Sequence, residues 1–66
     1  MKIFLNGKEE ALSGEMTLMD FLNLKGLEPD RVVVEYNYNV VKREEWSSIV
    51  LKENDVLEVL SFVGGG

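Results

Sequence analysis

The sequence predicts an α+β domain, a mixed sheet of four to five strands with one helix packed across one face. Three observations predict it. A short β-type run ends at Asn6-Gly7, the strongest two-residue signal for a tight hairpin, because both central residues must tolerate positive φ. One stretch of helical periodicity follows, with Leu18, Phe21 and Leu22 at spacings of three and four. The remainder is cut into brief apolar runs, the last at 56–63, and 66 residues leave room for one core and no second domain.

Taken in order, residues 2–5 form the first strand, and residues 8–13 return antiparallel to it. Ser13-Gly14-Glu15 breaks that strand. Thr17 then reads as a helix N-cap, with the Asp20 carboxylate in the first turn near the positive end of the helix. Gly26 after Lys25 is the stop signal. At about two turns, this helix depends on tertiary packing for its stability. Pro29-Asp30 marks a loop. Residues 31–36 contain Val32, Val33, Val34 and Tyr36, which predicts a third strand buried on much of both faces. Asn37-Tyr38-Asn39 turns the chain into a short extended piece at Val40-Val41. Residues 42–48 read as a single helical turn or irregular crossing anchored by Trp46. Residues 49–51 are extended, Glu53-Asn54-Asp55 is a turn, and 56–63 is the last strand. Returning that strand beside the first is the most economical closure. The result is the β-grasp, or ubiquitin-like, arrangement.

Composition excludes much. The chain has neither cysteine nor histidine, which removes disulfides, Cys or His zinc ligation, Cys or Ser-His nucleophiles and imidazole acid-base chemistry. Seven basic residues stand against twelve acidic ones, a net charge of −5. No basic cluster exceeds Lys42-Arg43, so the footprint of a nucleic-acid binder is missing. No apolar run exceeds three residues, as in Val32 to Val34, far too short to span a membrane, and the first residues do not resemble a signal peptide. The expectation is a cytoplasmic protein, a monomer when free, with no membrane or nucleic-acid partner. The acidic balance suits simple solubility, or steering toward a basic groove on a larger protein.

Alternation assigns Ile3, Leu5, Leu57 and Val59 to the helix-covered face. It leaves Phe4, Leu60 and Phe62 on the opposite, uncovered face, where a contiguous apolar cluster reads as a contact surface. The alternatives are loops folded over these residues, or a register shifted by one that makes them core. The chain then ends in Gly64-Gly65-Gly66. Three residues without Cβ are loose and narrow enough to enter a slot that side chains would block. The alternative is a frayed terminus. The expected organisation is a domain over 1–63 and a flexible tail over 64–66.

With these parts together, the whole chain resembles the ThiS family, the sulfur carriers of thiamin biosynthesis within the ubiquitin-like β-grasp superfamily. The resemblance is carried by Asn6-Gly7, by Thr17-Leu18, by the segment 34–46 with its Val41-Lys42-Arg43-x-x-Trp46 ending, and by residues 54–59 before the glycines. Two departures stand in turns: Lys42 where the family usually has proline, and Asn54 where it usually has glycine. The resemblance implies a protein cosubstrate rather than an enzyme, with no bound cofactor and no catalytic residue. Its working group is the Gly66 carboxylate, adenylated by a ThiF-like, ubiquitin-activating-type adenylyltransferase that uses ATP. A persulfide donor then converts it to a thiocarboxylate, and the sulfur passes to a ThiG-like thiazole synthase. Gly64, Gly65 and Gly66 enter the partner's active site, and Phe4, Leu60 and Phe62 form the interface. The alternative is another β-grasp carrier, the small subunit of molybdopterin synthase or a ubiquitin-like modifier.

Overall fold

The computed structural model describes residues 1–62. β1 (Lys2–Leu5) and β2 (Lys8–Ala11) form the predicted hairpin, with Asn6 at φ 51° and Gly7 at φ 83°. β2 stops two residues short of the expected boundary, although Met1 and Leu12 still exchange hydrogen bonds beyond it. The helix α1 (Leu18–Leu24) starts as the sequence indicates. Thr17 Oγ1 accepts from the Asp20 N–H at 3.1 Å, and the Asp20 carboxylate accepts from the Thr17 N–H at 3.3 Å, a reciprocal cap of two orphan donors. At the other end Gly26, at φ 74°, donates to the Asn23 carbonyl, and the Leu27 N–H reaches back to the Leu22 carbonyl at 3.1 Å. That pair of bonds is a Schellman stop, which needs a left-handed residue after the C-cap.

β3 (Val32–Tyr36), β4 (Asn39–Val41) and β5 (Val56–Ser61) complete a five-stranded sheet in the order β2-β1-β5-β3-β4. β5 lies in the centre, parallel to β1 and antiparallel to β3. Its ladder ends at Ser61 rather than at the expected Val63, and residue 63 lies outside the described region. Residues 49–51 make only the single bridge Thr17–Val50, but they hold the entry to α1 through Leu18 N–H on the Ile49 carbonyl, 2.8 Å. A 3-10 turn over Arg43–Ser48 buries Trp46, whose Nε1 donates to the Val41 carbonyl at 3.4 Å. The core is one-sided. Ile3, Val34 and Leu57 from the sheet meet Leu18, Phe21 and Leu22 from the helix, with Trp46 and Leu51 packed among them.

One expectation for β3 is overturned. Val32 and Val34 are buried, but Val33 between them is 42% exposed. A strand buried on both faces needs a layer on each side, and this sheet has a single helix.

A polar network ties the start of β5 to the β3–β4 hairpin. Asp55 is only 7% exposed, and its carboxylate accepts from the Tyr36 hydroxyl at 2.7 Å, the Lys52 N–H at 2.8 Å and Asn37 Nδ2 at 3.1 Å. Asn37 Oδ1 in turn accepts from the Val56 N–H at 2.8 Å. Burial raises the Asp55 pKa, but the Tyr36, Lys52 and Asn37 hydrogen bonds outweigh it and hold the carboxyl below its ordinary value. Burial, followed by the bond to Asp55 and its charge, pushes the Tyr36 phenol up to about 12.

Both shifts set a pH dependence. A depressed carboxyl stabilises the fold above its unfolded pKa of 3.8 and loses that contribution as pH falls through the lower folded value. At high pH the unfolded phenol ionises near 10.0 while the folded one resists to about 12, so stability falls between them. Asp55→Asn is expected to cost about 1–3 kcal/mol near neutral pH and to flatten the acid limb, read from urea midpoints near pH 7 and pH 3. The turn at Asn37-Tyr38 yields a second expectation. Tyr38 takes φ 73° although it is a bulky residue, and it is 77% exposed, with little packing to offset the strain. Tyr38→Gly should raise stability by up to about 1 kcal/mol in the same urea titration.

Candidate functional site

The uncovered face of the sheet is built by alternation. On β5 it presents Val56, Glu58 and Leu60; on β3, Val33 and Glu35; on β1, Lys2 and Phe4. The register decides which of these meet. Leu60 pairs with Val33 and Glu58 with Glu35, while Val40 of β4 lies on the far side of Glu35. Leu60 is 70% exposed, and Phe62, one residue past β5, is 47% exposed with its N–H on the Arg31 carbonyl at 3.0 Å.

Phe4 sits apart from these two. It pairs with Val56, four residues before Leu60, a displacement of roughly 13 Å at the usual rise per residue. Phe4 is half-buried, with Glu9 opposite it on β2 and the Lys2 ammonium 5.5 Å from its ring centre. The three sequence-predicted interface residues therefore share a face and adjacent strands, but the apolar neighbour of Leu60 is Val33. A strict period-2 reading of 32–36 under a one-helix sheet was the signal that could have found Val33.

Between the strands lies an open depression of about 410 Å³, lined by Asn6, Val33, Glu35, Glu58, Val59 and Leu60. Glu35 and Glu58 stand directly opposite each other, a like-charge cross-strand pair that costs stability. The ion pairs among the described residues, Lys25–Glu10, Arg31–Glu28 and Arg43–Asp30, involve neither of them. Among the described residues no group of three or more acidic side chains is placed to hold a metal ion, and no helix is long and apolar enough to cross a membrane. Gly64, Gly65 and Gly66 lie outside the described residues.

The family model for ThiS matches residues 3–66. This chain belongs to the ThiS family. The sulfur carrier protein ThiS of Bacillus subtilis is 36% identical over 63 residues, covering 94% of this chain and 96% of that one. The crystal structure of the thiamine biosynthesis protein ThiS from Geobacter metallireducens superposes with a TM-score of 0.83 at 33% identity, over 100% of both chains. The five-stranded mixed sheet with its single helix is thus the ubiquitin-like β-grasp of the ThiS family. A thiazole synthase of Magnetococcus marinus is 42% identical over all 66 residues, and the chain spans 20% of that relative's length.

The two faces of β5 predict opposite responses to truncation. Leu57 is fully buried against the helix, so Leu57→Ala should cost about 2–5 kcal/mol in urea unfolding. Leu60→Ala, three residues along the same strand, should change stability by no more than about 0.5 kcal/mol.

Proposed function

We propose that this chain is a sulfur carrier for the thiazole of thiamin, a protein cosubstrate rather than an enzyme. The observation that carries the reading is the match to the Bacillus subtilis sulfur carrier, which runs nearly end to end in both chains. The chain has no cysteine, so no side-chain thiol is available to carry sulfur, which supports the Gly66 carboxylate as the attachment point.

A carboxylate is a poor electrophile and must first be activated. One Gly66 oxygen attacks the α-phosphorus of ATP on a ThiF-like adenylyltransferase, pyrophosphate leaves, and an acyl-adenylate forms. The outer sulfur of a persulfide then attacks the acyl carbon and AMP leaves. Cleavage of the remaining S–S bond by a thiol frees the thiocarboxylate, which donates sulfur to a ThiG-like thiazole synthase. The thiazole synthase containing a stretch 42% identical to this chain supports that acceptor. ATP serves the activating partner, and the carrier binds no cofactor of its own.

In this reading the uncovered face docks the partners while Gly64, Gly65 and Gly66 enter the active site. Leu60 and Phe62, with Val33 beside Leu60, supply exposed apolar area, and Phe4 contributes further along the face. The unpaired Glu35 and Glu58 suit a partner surface that brings positive charge.

Deleting Gly66 tests the tail. It draws the terminal carboxylate back by roughly 3.3–3.6 Å while leaving the docking face intact. Since a misplacement of about 1 Å can cost a hundredfold in rate, the 65-residue form should bind the adenylyltransferase normally yet support far slower ATP–pyrophosphate exchange. Equal exchange at equal occupancy would refute a positioning role for the tail.

A further inference from the structure

β5 outlasts its neighbour. β1 ends at Leu5 and the chain turns back at Asn6-Gly7, whereas β5 continues to Ser61. Val56 and Phe62 use backbone groups on the β3 side, through bonds with Asn37 and Arg31. Leu57 and Val59 direct theirs to the β1 side. The Leu57 carbonyl meets backbone there, accepting from the Asn6 N–H at 2.9 Å. On that side Val59 has no strand opposite it, because the chain has already turned.

The Asn6 side chain takes the place of that strand. The Val59 N–H donates to Asn6 Oδ1 at 2.8 Å, and Asn6 Nδ2 donates to the Val59 carbonyl at 3.2 Å. A carboxamide offers the same donor and acceptor as a peptide unit, so one side chain extends the parallel ladder past the end of β1. Asn6 also stands between two depressions, one with Leu60 on the open face and another of about 160 Å³ with Leu27 and Ser61. The turn alone does not require these bonds. At φ 51° glycine or aspartate would serve the backbone as well, and neither reproduces the two-point contact.

We propose that Asn6 is a positioning residue: its side chain clamps Val59 and fixes the end of β5, the base from which the reactive terminus must reach its partner. The inference rests on the carrier reading above. Without the clamp, the end of β5 is held through β3 alone and can swing at the junction with the glycines. The reacting carboxylate lies several residues further on, so a small angular error there becomes a large displacement at the acyl carbon.

Two variants separate clamp from turn. Asn6→Gly keeps the left-handed backbone and removes both bonds; Asn6→Asp keeps an acceptor but sets an oxygen against the Val59 carbonyl. In the free protein, amide hydrogen exchange at Val59 should accelerate by roughly tenfold in Asn6→Gly, which removes its acceptor, while the Ile3 and Val34 amides keep their protection. With the adenylyltransferase, kcat for ATP–pyrophosphate exchange should fall by roughly ten- to a hundredfold, with the carrier's Kd unchanged within about twofold. Unaltered Val59 exchange would overturn the clamp. Faster Val59 exchange with unaltered kcat, or a loss confined to Kd, would overturn the positioning role. If the wild-type chain is not adenylated at all, the carrier reading falls and takes the positioning role with it, and the Val59 exchange result distinguishes that failure from the absence of a clamp.

Discussion

One helix cannot cover both faces of a sheet, and most of this structure follows from that. α1 buries Leu18, Phe21 and Leu22 against Ile3, Val34 and Leu57, so strand residues one position away must face solvent. The constraint explains why Val33 is exposed between two buried valines and why Leu60 stands free three residues after Leu57. It also keeps the core small, with no disulfide to supplement it, so local devices carry weight they would not need in a larger domain. The reciprocal Thr17–Asp20 cap and the hydrogen bonds gathered on Asp55 are such devices.

Features whose causes are local were legible in the sequence. Asn6-Gly7 marks a turn because the two residues themselves tolerate the required φ values. Thr17 and Asp20 satisfy each other within one turn, and Gly26 supplies its own left-handed stop. Asn54 behaves similarly, taking φ 68° in the turn before β5. The second hairpin was legible as a turn, but its strain was not. Nothing in the residue type of Tyr38 announces a left-handed backbone, which the tight Tyr36–Asn39 pairing imposes.

Long-range register was the harder part. Val32, Val33 and Val34 look alike in sequence, and only the one-sided packing of the sheet tells them apart. The face shared by Phe4, Leu60 and Phe62 could be read from alternation, but the roughly 13 Å offset of Phe4 depends on where β5 docks along β1. That docking is tied by the Asp55 main-chain carbonyl, which accepts from the Phe4 N–H, and by the Asn6 side chain, which binds the Val59 backbone far away in sequence. An acidic residue in a turn and an asparagine before glycine both have ordinary local explanations, which conceal the second role.

The central position of β5 also bears on how the protein is made. A ribosome releases β1, β2, α1, β3 and β4 before the strand that belongs between β1 and β3. Until then the nascent chain can form two separate hairpins but no continuous sheet, because the facing edges of β1 and β3 have no partner. Closure joins segments more than fifty residues apart, a slow, non-local step. Translation that stalls before β5 leaves no assembled face. Folding thus acts as a completeness check, and unfinished chains cannot compete with finished ones for a partner that recognises the sheet.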